Sequence, residues 1–122
     1  MIEYKKSEAY GSTIQLSSPE LMWLAESGQP YRGTLHIQYI NKGLVIELIS
    51  LKKYITRLRD HKIQLEEIAE TIHTDLCKGK PELSVLRVTV TTTARGGISS
   101  TITAGEEKYM KPEEKKPIVF GV

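Results

Sequence analysis

The apolar residues of this chain change their spacing twice, and that limits the folds open to it. In "GTLHIQYI" (33–40), Leu35, Ile37 and Tyr39 alternate with Thr34, His36 and Gln38. A period of two is that of a half-buried strand. "NKG" (41–43) carries a turn or bulge signal, and "LVIEL" (44–48) continues the β character. From Ser50 the spacing lengthens. Leu51, Tyr54, Ile55 and Leu58 stand at i, i+3, i+4 and i+7, an amphipathic helix with Ser50 as its expected N-cap. Lys52, Lys53, Arg57 and Arg59 cover its other face. "DHK" (60–62) breaks it, and a second stripe follows at Leu65, Ile68, Ala69, Ile72 and Leu76, with Gly79 and Pro81 as its stop. Alternation returns in "LSVLRVTVTTT" (83–93), with Leu86, Val88 and Val90 on one face. "ARGG" (94–97) supplies a tight turn, and "ISSTITA" (98–104) the returning strand.

Upstream, residues 1–11 read as an arm and "STIQLSS" (12–18) as a short strand. The stretch "SSPELMWLAESGQPY" (17–31) then reads as a loop. Connections are usually short and polar, whereas this one carries Leu21, Met22, Trp23 and Leu24. The order ββααββ predicts an α+β chain, an antiparallel sheet with two antiparallel helices on one face. Its edge strands are open to a neighbour, so an oligomeric barrel closed by subunit contacts is expected. Residues 1–104 form one domain, and 105–122 a charged tail. That tail ends in the apolar "IVFGV", expected to dock on this subunit or a neighbour.

A net charge of +2 is too mild to imply nucleic acid, which needs clustered Lys and Arg. No apolar run approaches the ~20 residues that span a bilayer, and "MIEYKKSEAY" has no apolar core of a signal peptide. Cys77 is the sole cysteine, so no internal disulfide forms, and a cytoplasmic location is expected. The usual phosphate-cradling glycine motifs are absent. His36, His61 and His73 lack metal-ligand spacing, so no metal is expected. His73 and Cys77 read as packing residues of the second helix, not as a ligand and a nucleophile.

Two carboxylates admit two readings each. Glu47 interrupts an apolar strand, and Glu66 opens the second helix. A carboxylate in a first turn complements the helix N-terminus. It can also accept two parallel donors, the pair that a guanine, a deazaguanine or a pterin presents. From the residues alone the first reading is favoured for Glu66.

Together these segments resemble the preQ0 (7-cyano-7-deazaguanine) nitrile reductases of queuosine biosynthesis, the QueF-like family. The resemblance runs from about Ser18 to Ile98. "SPEL" (18–21) and "SGQP" (27–30) are similar to the family's "CPEF" and "TGQP". "ELISLKKY" (47–54) is similar to the cofactor motif "ESKSLKLY", "RLRDH" (57–61) to "SFRNH", and "ARGGI" (94–98) to "PRGGI". The resemblance implies the tunnelling fold, with a pocket between subunits in which Glu66 holds a deazaguanine. Beside it Glu47, Trp23 and Tyr31 become candidate ligand contacts, the aromatic rings by stacking. Ser50, Lys52, Tyr54 and Arg95 are what remains of the cofactor-motif and hairpin positions.

The departures fall on the chemistry. The family's nucleophilic Cys corresponds to Leu24 or Ala25, its Asp to Tyr31, and the His before its Glu to Leu65. In the cofactor motif, Leu48 and Ile49 replace Ser and Lys. Thioimide chemistry needs a thiolate, and Leu or Ala offers none. The expectation is a non-covalent binder of a deazaguanine, pterin or related purine-like ring, with no cofactor and no nitrile reduction. Two alternatives stay open. One is an active enzyme of queuosine or archaeosine metabolism with displaced groups, using NADPH if it is a reductase. The other is a ligand-free interaction module. Nothing in the residues supports a tRNA partner.

Overall fold

The computed structural model describes residues 2–78, 80, 83–94 and 96–105. The expected helix stop at Gly79 and Pro81, Arg95, the side chain of Leu86 and the tail from 106 onward lie outside the described residues. The elements are β1 (Tyr4–Lys6), β2 (Thr13–Leu24), β3 (Pro30–Ile40), β4 (Leu44–Ile46), α1 (Leu48–Leu58), a 3-10 turn (Leu65–Glu67), α2 (Ile68–Cys77), β5 (Ser84–Thr92) and β6 (Thr101–Gly105). Four strands form an antiparallel sheet in the order β2-β3-β5-β6. Helix α1 lies over β2, and α2 over β5 and β6. The α+β reading with two helices on one face therefore holds.

The expected loop at 17–31 is mostly strand. β2 runs on to Leu24 and pairs with β3 down to Pro30. The pairing slips between Ser18 and Leu21, a β-bulge. Before the bulge Ile14, Leu16 and Ser18 oppose Tyr39, Ile37 and Leu35 on the helix-covered face; beyond it Leu21 and Trp23 take over, opposite Gly33 and Tyr31. Pro19 sits in the slip, a place where a strand tolerates a missing N–H. Loop-like residues therefore mark a kink within one long hairpin. Gly33 is required opposite the bulge, because a Cβ there would stand 2.3 Å from the Thr91 carbonyl oxygen.

The core lies between the sheet and the helices. Leu21, Trp23, Leu35, Ile37 and Tyr39 meet Ile68, Ile72 and Leu76 there, with Val88 and Val90 from β5. The other sheet face is polar, where Ser17 Oγ lies 3.2 Å from His36 Nδ1 and Arg87 donates to Gln38. The arm expected at 1–11 contains β1, paired with β4 in a second small sheet. Tyr4 fixes it by donating its hydroxyl to the Leu76 carbonyl.

Helix α1 begins earlier than its expected N-cap Ser50. The cap is Glu47, whose two carboxylate oxygens accept from Ile49 N (2.7 Å) and Ser50 N (2.8 Å). One carboxylate satisfies two orphan donors and places negative charge at the positive helix end, which a serine hydroxyl cannot do. Ser50 is buried instead. Its hydroxyl donates to the Glu47 carbonyl and accepts from Glu3 N, tying the arm to the helix. No helix among the described residues is long and apolar enough to cross a membrane.

Candidate functional site

One end of the molecule gathers the hairpin tip and the start of the second helical segment. The hairpin turns at residues 25–29, where Ala25 N donates to the Gln29 carbonyl and Gly28 N to that of Ala25. Gly28 takes φ +91°, a backbone setting that favours glycine. The α1–α2 connection clamps this tip. Leu24 N donates to the His61 carbonyl (2.9 Å), and Ile63 N donates to that of Leu24 (3.0 Å). Gln64 Nε2 adds a bond to Glu26 Oε1. Immediately after comes the turn Leu65–Glu67.

These bonds bring together the positions that the resemblance aligns with the family's catalytic and ring-binding residues. Leu24, Ala25 and Tyr31 lie on the hairpin tip, and Leu65 and Glu66 on the adjoining turn. Leu65 packs against the core, while Glu66 is exposed, with no partner among the described residues. Its carboxylate is available to a ligand or to a second chain. Sequence reasoning missed Gln64 and Glu26, whose bond spans 38 residues and leaves no local signal.

Trp23 and Tyr31, expected as stacking surfaces for a ligand, have a different arrangement within the single chain. They face each other across the β2–β3 pair and stack on one another, centroids 5.1 Å apart. Trp23 is fully buried and donates Nε1–H to the Ile63 carbonyl at 3.1 Å. It therefore holds the clamp and offers no open face. Tyr31 is partly exposed.

The cofactor-motif positions lie elsewhere. They start α1, and the Glu66 turn follows its far end, so roughly 16 Å of helix separates them. Glu47, also expected as a ligand contact, has both carboxylate oxygens committed to the cap. The two backbone N–H groups of Ile49 and Ser50 hold that carboxyl below its ordinary pKa. Tyr54 donates to Asp75 Oδ2 at 2.6 Å, and burial, followed by the carboxylate, pushes its pKa upward. Lys52 is exposed at the mouth of a groove of about 280 Å³ between α1 and β2. Leu16, Leu35 and Ile37 floor this groove; Leu51 and Ile55 wall it. Arg59, which the sequence places with Lys52 on the polar side of the helix, also lines the groove, and the two stand at i and i+7. Of the motif residues, Ser50 and Tyr54 are bonded within the chain, Lys52 is exposed beside Arg59, and Leu48 forms part of the groove's lip.

Cys77 closes α2 beside β5, whose first residue Ser84 pairs with Ile40, itself opposite Thr13. Leu24 lies at the other end of β2, roughly 30 Å of strand away. His73 is partly buried and lies 3.1 Å from the Val85 carbonyl. Among the described residues no three His, Cys, Asp or Glu side chains converge on a metal position.

An antiparallel four-stranded sheet backed by two helices, with a carboxylate presented beside a hairpin tip, defines a tunnelling-fold protein. The crystal structure of the archaeosine synthase QueF-Like in its apo form shares the fold. The TM-score is 0.64 at 20% identity, over 76% of this chain and 91% of that one. The family model described as QueF-like protein matches residues 30–111. The NADPH-dependent 7-cyano-7-deazaguanine reductase of Chloroherpeton thalassium is 37% identical over 97 residues, 78% of this chain and 82% of the relative. The protein of the same name from Elusimicrobium minutum is 40% identical over 97 residues, covering 78% and 72%. The chain belongs to the QueF-like family.

Proposed function

We propose that this protein binds a 7-deazaguanine such as preQ0, a pterin or a related purine-like ring non-covalently at the Glu66 corner. A second copy completes the pocket, and no nitrile reduction takes place. The observation that carries this reading is the clamp. Leu24–Ile63 and Glu26–Gln64 hold the hairpin tip against the turn that presents Glu66. The exposed carboxylate offers two acceptors to an N–H pair on the ring edge, and Tyr31 lies on the adjoining strand. The relatives' name supports the ring class.

The same corner argues against the reductase reaction. Leu24 or Ala25 occupies the position aligned with the family nucleophile, and Leu65 that of its histidine. A displaced mechanism through Cys77 would need that thiol to reach the tip from the opposite end of its own sheet. The reading includes no nicotinamide cofactor, because Leu48 and Ile49 stand where the family's cofactor motif has Ser and Lys.

Titration calorimetry with preQ0, guanine and a pterin tests the reading. At least one is expected to bind, and Glu66→Gln to weaken it by about 1–3 kcal/mol, about 5- to 150-fold, because one acceptor becomes a donor. Absence of binding by all three to the assembled protein refutes the proposal. So does a covalent adduct, or NADPH oxidation dependent on preQ0.

A further inference from the structure

The sheet face turned away from the helices carries three successive rows without a carboxylate. Gln15, Gln38 and Arg87 pair across the first, and Ser17, His36 and Thr89 across the second. The third is Thr34, Thr91 and Thr101. Threonine suits a strand and needs no further reason here. The charge pattern does. The chain holds 15 Asp and Glu against 17 Lys and Arg, so composition does not by itself clear three rows of acid. The ionisable groups that these rows do hold are Arg87 and His36.

These two stand diagonally across the β3–β5 pair. His36 opposes Thr89, and Arg87 lies two residues along from Thr89. Diagonal neighbours on one face of an antiparallel pair are about 7–8 Å apart, within reach of long side chains. Arg87 donates to Gln38 Oε1 at 3.4 Å, a long bond that a charged acceptor can replace. His36 Nδ1 lies 3.2 Å from Ser17 Oγ, and its Nε2 has no partner among the described residues. With the Ser17 hydroxyl donating to Nδ1, the ring proton sits on Nε2, which becomes a donor. Both residues line a polar groove of about 370 Å³, together with Gln15, Ser17, Gln38 and Thr89. All six side chains can donate a hydrogen bond, and none is a fixed acceptor. That volume lies within the ~300–1,000 Å³ of ligand pockets, room for a phosphate group and a small moiety carrying it.

Use of this face leaves the edges of the sheet untouched. In a barrel closed edge to edge with its helices outside, the three rows line the lumen. Each copy then adds another Arg87 and His36 to one enclosed space, and the rows bring no carboxylate to offset them. Like charges gathered in a cleft raise the local potential and draw in a counter-anion.

We propose that the polar groove on the helix-free face of the sheet binds a phosphate group, held by the Arg87 guanidinium and by His36 Nε2. The planar fork of Arg87 donates to two phosphate oxygens in parallel, and the imidazole to a third. Thr89 and the Gln15 amide are further donors, and Ser17 sets the tautomer of the ring. The site does not rest on the Glu66 reading. Glu66 belongs to the helical layer on the other side of the sheet, so ring binding there can fail or succeed without it.

Equilibrium dialysis of radiolabelled inorganic phosphate against the full chain tests this, at an ionic strength held constant with chloride so that screening does not vary. Saturable binding in the millimolar range or tighter is expected. Arg87→Gln should weaken it at least about tenfold, as loss of a charge-assisted hydrogen bond does. Arg87→Lys should weaken it less, because the charge stays and the fork is lost; it carries the test if circular dichroism shows Arg87→Gln unfolded. His36→Ala should also weaken binding. Lys53→Gln removes one positive charge from the exposed side of α1 and should leave binding unchanged. Ribose 5-phosphate as competitor separates two sources of the group. Displacement at lower concentration than unlabelled phosphate marks a phosphate ester as the ligand, and displacement only at higher concentration marks the free anion; both support the site. Absence of saturable binding, an equal loss in Lys53→Gln, or parental binding by both Arg87→Gln and His36→Ala overturns the proposal.

Discussion

Replacing Trp23 tests whether the hairpin tip is a packed clamp or an open stacking surface. The indole is fully buried, stacks on Tyr31 and donates to the Ile63 carbonyl. Trp23→Ala removes all three contributions. Loss of a large core side chain costs about 3–5 kcal/mol. About 0.5–1.5 kcal/mol of that belongs to the aromatic pair, and about 1–3 kcal/mol to stranding the carbonyl acceptor. Against a typical domain stability of about 5–15 kcal/mol, the variant gives up between about a fifth and the whole of it. Its melting temperature should drop by about 10–20 °C. Trp23→Phe keeps the ring stack and loses the hydrogen bond, so it should cost about 2 kcal/mol. Urea unfolding read by circular dichroism measures both, with an unchanged slope against denaturant as the check that only stability moved. Because Trp23 is the sole tryptophan, the native protein's own emission gives a second readout. A buried indole emits to the blue and resists quenching by iodide. A Trp23→Ala variant within 1 kcal/mol of the parent, or a native emission as quenchable as free tryptophan, would refute the clamp and restore Trp23 as a ligand surface.

Three further substitutions probe other contacts. Gly33→Ala forces a Cβ to within 2.3 Å of the Thr91 backbone oxygen, and should cost about 1–3 kcal/mol in urea titrations; a neutral result would mean that β3 and β5 can separate locally. Tyr54→Phe removes the bond to the Asp75 carboxylate and should cost about 1.5–3 kcal/mol near neutrality. Because Tyr54 is raised in the folded state, its contribution is complete below the unfolded tyrosine value near 10 and is lost as pH climbs through the folded one. The variant should therefore show a flatter alkaline limb, and parallel limbs would contradict the assignment. Glu47→Gln should lower thermal stability at neutral pH. Glu47 is depressed, so its share is present above its ordinary value near 4.5 and disappears as pH falls through the folded value. An acid limb unchanged by the substitution would show that the cap contributes nothing.

The helical stripes and the alternating strands were legible because each repeats a period several times. Leu35, Ile37 and Tyr39 needed no partner to be read as a buried row. The arm was not legible. β1 has no alternation of its own and exists through its pairing with β4, anchored by Tyr4 reaching Leu76, 72 residues away. The bulge was misread for a physical reason. Ser18, Pro19 and Glu20 carry the composition of a loop, and a bulge draws on the same residue types. Trp23 then looked like an aromatic in a loop, and only the pairing of β2 with β3 shows it facing inward. For the candidate site, the sequence located Glu66 and the hairpin tip separately. Their contact rests on main-chain bonds from Leu24 to His61 and Ile63, which side-chain identity does not encode. Glu47 was visible as an unusual carboxylate, yet its role depends on where the helix begins, and the amphipathic stripe leaves that boundary open.

The bulge between Ser18 and Leu21 acts as a phase shifter for the hairpin. Every side chain beyond it has the opposite parity from the one the first half of β2 would dictate. Losing one residue within the paired run that follows would turn Met22 inward and Trp23 out onto the polar face. Single-residue changes of length are tolerable at only two places in this hairpin, the bulge itself and the turn at 25–29. Length variation among relatives should collect at those two points, and elsewhere along β2 and β3 it should come in steps of two.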